Sequence, residues 1–384
     1  MSQSEPFTMI ATTLYGLEEV LANELQQLGA ENVYPLNRAV RFSGNKEMMY
    51  QANLATRTAL RILKPIHQFS AQSEDQLYHH VQGINWSDYL GVEQTLAVDS
   101  VVNSNVFTHS HYVSLKVKDA IVDQFRDNKG ERPSVDTEHP ELRINVHIDG
   151  TDCSIALDSS GDSLHRRGYR LDKTMAPVNE VLAAGMVLLS GWERQGHFID
   201  PMCGSGTILI EAALFAHRMA PGLLRPGFGF QNWPDYDAGL FHSLKSEAWN
   251  RFTDFEYQLI GCDQSTEAIR ITGDNASRAQ IGGSLRLENQ SLEEFIPPDG
   301  NGTVIMNPPY GERMEQDDII DFYGTIGDQL KQKYPGYSAW ILSANKEAIK
   351  RVGLRTAERL TLYNGPLECK FHRFDMYRGS KHRS

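Results

Sequence analysis

Cysteine is scarce in this chain of 384 residues. The four present, Cys153, Cys203, Cys262 and Cys369, lie far apart with no C-x-x-C pair. That spacing argues against a disulfide framework and a zinc site, and fits a reducing cytoplasm. Long hydrophobic runs are also missing, so no stretch reaches the roughly 20 apolar residues of a membrane span. The opening residues, Met1 to Glu5, are polar and acidic, unlike a secretory signal. Basic charge is in short supply: 37 Lys+Arg stand against 49 Asp+Glu, a formal net charge of −12. The chain therefore lacks the overall basic footprint of a nucleic-acid binder. Internal repeats and low-complexity segments are absent. What remains is an ordinary globular composition, long enough for two or three domains.

Two local patterns stand out against that background. The first is Asp200-Pro201-Met202-Cys203-Gly204-Ser205-Gly206-Thr207, led by the apolar His197-Phe198-Ile199 and followed by a helical pattern from Ile208 to His217. Strand, glycine turn, helix is where an α/β sheet places a nucleotide-like ligand. The loop has no Lys-Ser/Thr pair, so it is not a P-loop, and it lacks a full G-x-G-x-x-G. It opens with a carboxylate, which repels pyrophosphate and attracts an ammonium. A cofactor with an amino-acid end and a sulfonium, S-adenosylmethionine, suits it. The second pattern is Asn307-Pro308-Pro309-Tyr310, about a hundred residues downstream and after another short apolar run. An exocyclic amine offers two N–H donors. The Asn307 side-chain oxygen and the Pro308 carbonyl supply two acceptors, Pro309 holds Pro308 extended, and Tyr310 offers a stacking face. Together the two patterns resemble the amino-methyltransferases, which move a methyl group to an exocyclic base nitrogen.

Periodicity predicts strands over 7–13, 32–36, 39–42, 61–69 and 95–102, with helices over 16–28, 46–54, 74–81 and 112–128. Leu115, Ala120, Ile121, Val122 and Phe125 supply the apolar face of the last helix. A hairpin over 142–157 turns at Asp149-Gly150. Ser159 to Ser163 reads as a linker. A helix from Pro177 to Ser190 follows, then strand alternating with helix to the end, interrupted by a Gly-, Pro- and aromatic-rich insertion from Arg218 to Tyr257. Alternation implies a parallel sheet, and the late strands 356–363 and 367–376 add an antiparallel edge. Asp263, ending the strand 258–262, is the candidate ribose clamp, a cap of the helix that begins near Thr266, or both. Two basic stretches interrupt the acidic background: 165–173, with Tyr169 inside it, and 370–383.

Further resemblances widen the picture. Leu115-Lys116-Val117-Lys118-Asp119-Ala120-Ile121-Val122-Asp123, Arg132-Pro133-Ser134-Val135-Asp136 and the run to His165-Arg166-Arg167-Gly168-Tyr169-Arg170 resemble a THUMP module behind a small ferredoxin-like unit. The whole chain, including Asn364-Gly365-Pro366-Leu367, resembles the THUMP-containing 23S rRNA guanine-N2 methyltransferases of bacteria, often labelled N6-adenine-specific DNA methylases, in their form with a single catalytic domain. The resemblance implies a class I (Rossmann-like) α/β S-adenosylmethionine-dependent methyltransferase domain preceded by an α+β ferredoxin-like/THUMP module. The expected division is 1–45 ferredoxin-like, 46–158 THUMP and 165–384 methyltransferase.

The resemblance also implies site residues. The cofactor falls to Asp200, Met202, Cys203, Gly204, Gly206, Thr207, Asp263, Gln264, Gln290, Ser291, Pro177 and Glu180; Asn307, Pro308, Pro309 and Tyr310 are catalytic. Cys203 is expected only to pack, and Glu180 could equally be a plain helix start. Relatives often place an Asp near Ser291 to meet adenine, so Gln290 or the Ser291 hydroxyl has to substitute here. Lys116, Lys118, Arg166, Arg167, Tyr169, Arg170 and Lys173 are the expected RNA contacts. No metal and no membrane is expected; the partner is 23S rRNA or an assembling large subunit, and the chain is a monomer or weak dimer. Asn-Pro-Pro-Tyr reads an amine and not a base, so N6 methylation of adenine in DNA or RNA stays open, as does a non-catalytic RNA-binding assembly factor.

Overall fold

The computed structural model describes residues 5–170, 178–309 and 316–377, with the side chains of 316 and 317 excepted. The chain divides into two compact units. The first comprises Met1–Thr13, Ala22–Leu164 and Arg225–Ser246; the second comprises Leu14–Leu21, His165–Leu224 and Glu247–Ser384.

The first unit carries β1 (Phe7–Thr12), most of α1 (Glu18–Gln27), β2 (Glu31–Leu36), β3 (Ala39–Gly44), α2 (Lys46–Ala55), β4 (Arg61–Ser70), α3 (Glu74–Gln82), β5 (Thr95–Asn103), α4 (Ser110–Lys129), β6 (Ser134–Val135), β7 (Leu142–Asp149) and β8 (Asp152–Asp158). Local chemistry sets the ends of these elements. The Asn45 side chain accepts from the Met48 amide at the start of α2, and Ser73 does the same for Gln76 at α3. Gly130 closes α4 in the left-handed region (φ 73°), where only glycine sits freely. All eight strands form one sheet in the order β2-β3-β1-β4-β8-β7-β5-β6.

Two expectations change here. The buried stripe of α4 is Val113, Val117, Ala120, Ile121 and Phe125, with Val122 beside it, whereas Leu115 is 42% exposed. The i, i+4, i+7, i+8 spacing from Val113 is the one that faces a core. Ser159 to Ser163 is not a loose linker. Ser159 and Ser160 are fully buried, the Ser159 hydroxyl donates to the Ile62 carbonyl at 2.7 Å, and the Ser160 hydroxyl donates to Asn53 Oδ1 at 2.7 Å. Arg225, inside the insertion, donates to the carbonyls of Asp162 and Ser163 at 2.8 and 2.9 Å. The insertion accordingly belongs, over Arg225–Ser246, to this first unit, where Phe230 stacks on Tyr50 with ring centroids 4.2 Å apart.

The second unit carries α5 (Glu180–Leu189), β9 (His197–Asp200), α6 (Thr207–Ala216), part of α7 (Ala238–Asn250), β10 (Leu259–Cys262), α8 (Thr266–Arg278), β11 (Leu285–Glu288), β12 (Gly302–Met306), α9 (Gln316–Lys333), β13 (Tyr337–Ser343), α10 (Ala348–Arg351), β14 (Glu358–Asn364) and β15 (Leu367–Asp375). The sheet order is β11-β10-β9-β12-β13-β15-β14. Every neighbouring pair is parallel except those made by β15, which runs antiparallel to both β13 and β14. The inner strands read as continuous apolar runs because both faces are covered, and Ile199, Ile260, Val304, Met306, Ala339 and Ile341 are all fully buried.

Candidate active site

The direction of strand addition reverses at β9, which lies between β10 on one side and β12 on the other. Loops leaving the carboxyl ends of strands at such a point diverge and leave a crevice. The pairing Val304↔Ile199 sets the level of the two central strands. Asp200 is the last residue of β9 and Asn307 directly follows β12, so the glycine loop and the Asn-Pro-Pro turn leave the same edge of the sheet from adjacent strands.

The glycine loop is held by backbone and by α8. Gly204 and Gly206 sit at φ 56° and 78°. A Cβ on Gly206 would come within 2.6 Å of the Thr272 side chain. The Cys203 amide donates to the Cys262 carbonyl at 3.0 Å and the Gly206 amide to the Cys203 carbonyl at 2.8 Å. From α8, Thr272 Oγ1 donates to the Gly204 carbonyl at 2.9 Å and Asn275 Nδ2 to the Ser205 carbonyl at 3.0 Å. Both of these side chains are fully buried. Their only signal in the sequence is two polar residues three apart on the inward face of an amphipathic helix. Thr207 opens α6, and its N-cap, Gly206, makes no side-chain cap hydrogen bond. Cys203 is buried, and burial raises its thiol well above the usual range, which suits packing and not nucleophilic attack.

Two carboxylates flank the loop. Asp200 is 1% exposed and pairs with no cation among the described residues. Burial pushes its carboxyl up to about 8; the Met202 amide works against the rise and the Asp263 charge adds to it. Asp263, half-buried, accepts from the Gly204 amide at 3.0 Å through one oxygen and from the Ser265 amide at 2.9 Å through the other. It is not the cap of α8, because Ser265 fills that place and accepts from the Ala268 amide.

Past β11, the Asn289 side chain donates to the carbonyls of Asp263 and Gln264 at 2.9 and 3.0 Å and accepts from Thr266 at 2.8 Å, fixing the segment that carries Asp263. Gln264 and Gln290 are exposed, and the Gln290 carbonyl accepts the Cys262 thiol at 3.2 Å. The Ser291 hydroxyl accepts from the Glu294 amide at 3.3 Å while the Ser291 amide donates to the Glu294 carboxylate at 3.2 Å. That reciprocal cap fixes the Ser291 hydroxyl while leaving it a donor hydrogen and a second lone pair, so Gln290 and Ser291 both remain candidates for adenine.

Asn307 Oδ1 is buried and has no hydrogen-bond partner among the described residues. Pro308 is buried behind it and Pro309 is half-buried. An unpaired buried amide oxygen is costly, so one that persists marks a place where a donor is to be received. Met202 lies half-buried against the core cluster that contains Met306. Tyr310, Pro177 and Lys173 lie outside the described residues.

The expected RNA contacts at Arg167, Tyr169 and Arg170 need correction. The Arg167 side chain is 1% exposed and pairs with Glu211 at 3.5 Å; the fully buried Tyr169 donates its hydroxyl to the same carboxylate at 3.0 Å. Arg170 bonds the Glu180 carboxylate at 2.9 Å, the Val178 carbonyl at 2.9 Å and Thr207 Oγ1 at 3.3 Å. Two guanidiniums and two carboxylates thus balance inside the second unit, because buried charges need partners. Glu180 is 3% exposed and faces Arg170; burial raises its carboxyl and Arg170 opposes the rise. It supports the loop through Arg170 and Thr207. Arg166 is exposed. Lys116 pairs with Asp75 at 3.3 Å and lies over the Tyr78 ring, and Lys118 pairs with its neighbour Asp119.

No group of three His, Cys, Asp or Glu among the described residues is placed to hold a metal, and no helix of theirs is long and apolar enough to cross a membrane. A glycine cradle, a buried acid without a cation and an acid at the next strand end fit S-adenosylmethionine. They define a class I methyltransferase.

Residues 167–373 match the RMKL-like methyltransferase domain, 71–158 the THUMP domain and 8–63 the RlmL ferredoxin-like domain. The chain belongs to the THUMP-containing RMKL-like RNA methyltransferases. A protein of Synechocystis sp., whose name carries a provisional RNA methyltransferase assignment, is 42% identical across 96% of both chains. The ribosomal RNA large subunit methyltransferase K/L of Syntrophotalea carbinolica is 41% identical over 97% of this chain. This chain spans 54% of that relative's length. A structure solved with S-adenosylhomocysteine, of a protein whose name carries a provisional methyltransferase assignment, superposes with a TM-score of 0.87 at 30% identity, covering 99% of this chain and all of the other.

Proposed function

We propose that the protein transfers a methyl group from S-adenosylmethionine to the exocyclic N2 amine of a guanine in 23S rRNA, free or in an assembling large subunit. The orphaned Asn307 oxygen carries the amine-acceptor part of this reading, and the resemblance to the 23S rRNA guanine-N2 methyltransferases supports guanine as the base. It sits at the carboxyl edge of β12, beside the glycine loop that ends β9. In this reading residues 46–158 hold RNA and 165–384 carry the chemistry.

Asp200 meets the cofactor's ammonium and Asp263 its ribose hydroxyls, while Gln290 or the Ser291 hydroxyl meets the adenine. When bound, S-adenosylmethionine supplies an electrophilic methyl on a sulfonium. Asn307 Oδ1 and the Pro308 carbonyl accept the two N–H bonds of the target amine. Held this way, the nitrogen lone pair turns out of conjugation with the ring. Tyr310 offers the ring face for the base. As the N–C bond forms, the S–C bond breaks to leave a neutral thioether, and the proton shed by the nitrogen passes along its hydrogen bond at Asn307 Oδ1 or the Pro308 carbonyl to solvent. The rate gain comes from alignment for in-line attack and from acceptors fixed where charge develops on nitrogen, so no strong general base is called for. The target base has to leave its stack, at a cost that falls where it is already unpaired.

Nucleoside mass spectrometry of 23S rRNA incubated with the enzyme and labelled cofactor tests this. The expected product is N2-methylguanosine. N6-methyladenosine as the labelled product would reject guanine in favour of adenine, and cofactor binding without transfer to any RNA would reject catalysis.

A further inference from the structure

The hairpin of β14 and β15 stands beyond the site on the same edge of the sheet. Met306 pairs with Ile341, and Leu342 pairs with Phe371 across the next strand boundary. Asn307 is therefore level with Phe371, two strands away. From there β15 runs back through Lys370, Cys369 and Glu368 to Leu367, where the chain turns into Asn364 of β14. Four residues at about 3.3 Å each carry the tip roughly 13 Å past the level of Asn307. The hairpin thus projects beyond Asn307 on the same edge of the sheet, two strands to the side.

The hairpin is braced and presents binding chemistry. The short segment Leu14–Leu21 belongs to this second unit. Tyr15 from it meets the Tyr363 ring edge-on, with centroids 5.4 Å apart and planes at 85°, and stays 46% exposed. Gly16 at φ 86° passes so close that a Cβ would lie 2.6 Å from the Thr361 carbonyl, which locks the segment onto β14. Lys370 donates to Thr361 Oγ1 and pairs with Glu368, each at 2.8 Å, and Tyr363 donates to the same Glu368. Glu368 is thus already committed to the hairpin. Exposed Lys346, which follows β13, also lies near enough to Glu368 to lower its carboxyl, after the larger effect of Lys370. Leu367 at the tip is 43% exposed.

We propose that Tyr15, the Tyr363–Leu367 tip and Lys346 form a docking ledge for the RNA strand flanking the target base, with Tyr15 taking a neighbouring base by stacking and Lys346 a phosphate. An aromatic face accepts any base, and a lysine reads phosphate charge without sequence. The ledge gives an acidic protein a local place for RNA at the mouth of its site. It rests on the reading of Asn307 as the base acceptor only for its location, not for the identity of the base.

The test uses the full-length protein with Tyr15→Ala and Lys346→Glu, and 23S rRNA transcribed in vitro as the probe. Affinity for the transcript is measured by filter binding across a salt series, alongside S-adenosylhomocysteine affinity by calorimetry. Each variant is expected to bind RNA about tenfold more weakly with cofactor affinity unchanged. Lys346→Glu should also reduce the magnitude of the slope of log affinity against log salt by about 1 or more. Wild-type RNA affinity and salt slope in both variants would overturn the ledge. A loss of cofactor affinity in step with RNA affinity would overturn it too, since a damaged fold would then explain both. The methylated nucleoside formed by wild type is read separately, so a product other than N2-methylguanosine removes the proposed function and leaves the ledge standing.

Discussion

Asp263 Oδ2 accepts the backbone amide of Gly204 at 3.0 Å, joining the end of β10 to the bend that follows β9. One carboxylate thus shapes the loop and stands at the strand end where a ribose is to be held. Asp263→Ala is expected to weaken S-adenosylhomocysteine binding by at least tenfold in calorimetry, with the circular dichroism spectrum unchanged. Asp263→Asn keeps an acceptor oxygen and should fall between the two. Equal affinity for all three proteins would remove Asp263 from the cofactor site.

Asn307→Ala removes an acceptor that nothing in the described protein uses. Deleting an unpaired buried polar atom should leave stability within about 1 kcal/mol of wild type or raise it. Transfer to RNA should fall by a factor of about 100 or more, as for other single acceptors or donors aimed at a reacting centre, with cofactor affinity kept. A variant that turns over at the wild-type rate contradicts the assigned role.

Arg167→Gln and Arg170→Gln separate the two readings of the basic stretch. Each leaves a buried glutamate without its cation, which costs about 3–5 kcal/mol in comparable pairs. A drop of several degrees in melting temperature is expected, while RNA affinity of the folded protein stays at the wild-type value. Weaker RNA binding without loss of stability would restore the phosphate-contact reading.

Asp200 sets a pH dependence with a definite sign. Its carboxyl titrates at about 8 in the fold, against about 3.9 in an unfolded chain. Between those values the folded state holds the extra proton, so the stability linked to this group is complete at low pH and is lost as pH rises toward 8. The cofactor-free protein should therefore melt lower at pH 8 than at pH 6. Asp200→Asn should flatten that difference, and thermal scans at the two pH values check it. An unchanged difference in the variant would place the source elsewhere.

How legible was this in the sequence? The glycine loop and Asn307-Pro308-Pro309 were readable because each meets its chemical demand within a few consecutive residues, and the strand-helix alternation gave the second sheet. Thr272, Asn275 and Asn289 were not, because each serves a backbone carbonyl brought to it only by the fold. Arg167, Tyr169 and Arg170 misled for a related reason. A cluster of arginines around a tyrosine reads the same whether it meets phosphates or buried glutamates, and Glu211 lies 42 residues past Tyr169. Ser159 to Ser163 had a linker's composition, yet its hydroxyls found Ile62 and Asn53 about a hundred residues earlier.

The strand β4 carries a last consequence. Its first residues pair with β1, and from Leu63 onward it pairs with β8, so one continuous ladder crosses from the ferredoxin-like match into the THUMP match. Cutting the gene between those two regions would strip a partner from each fragment and bare fresh main-chain edges, which invite self-association. Recombinant expression of either region alone should give aggregate where the joined pair gives soluble protein, because the two regions share one sheet.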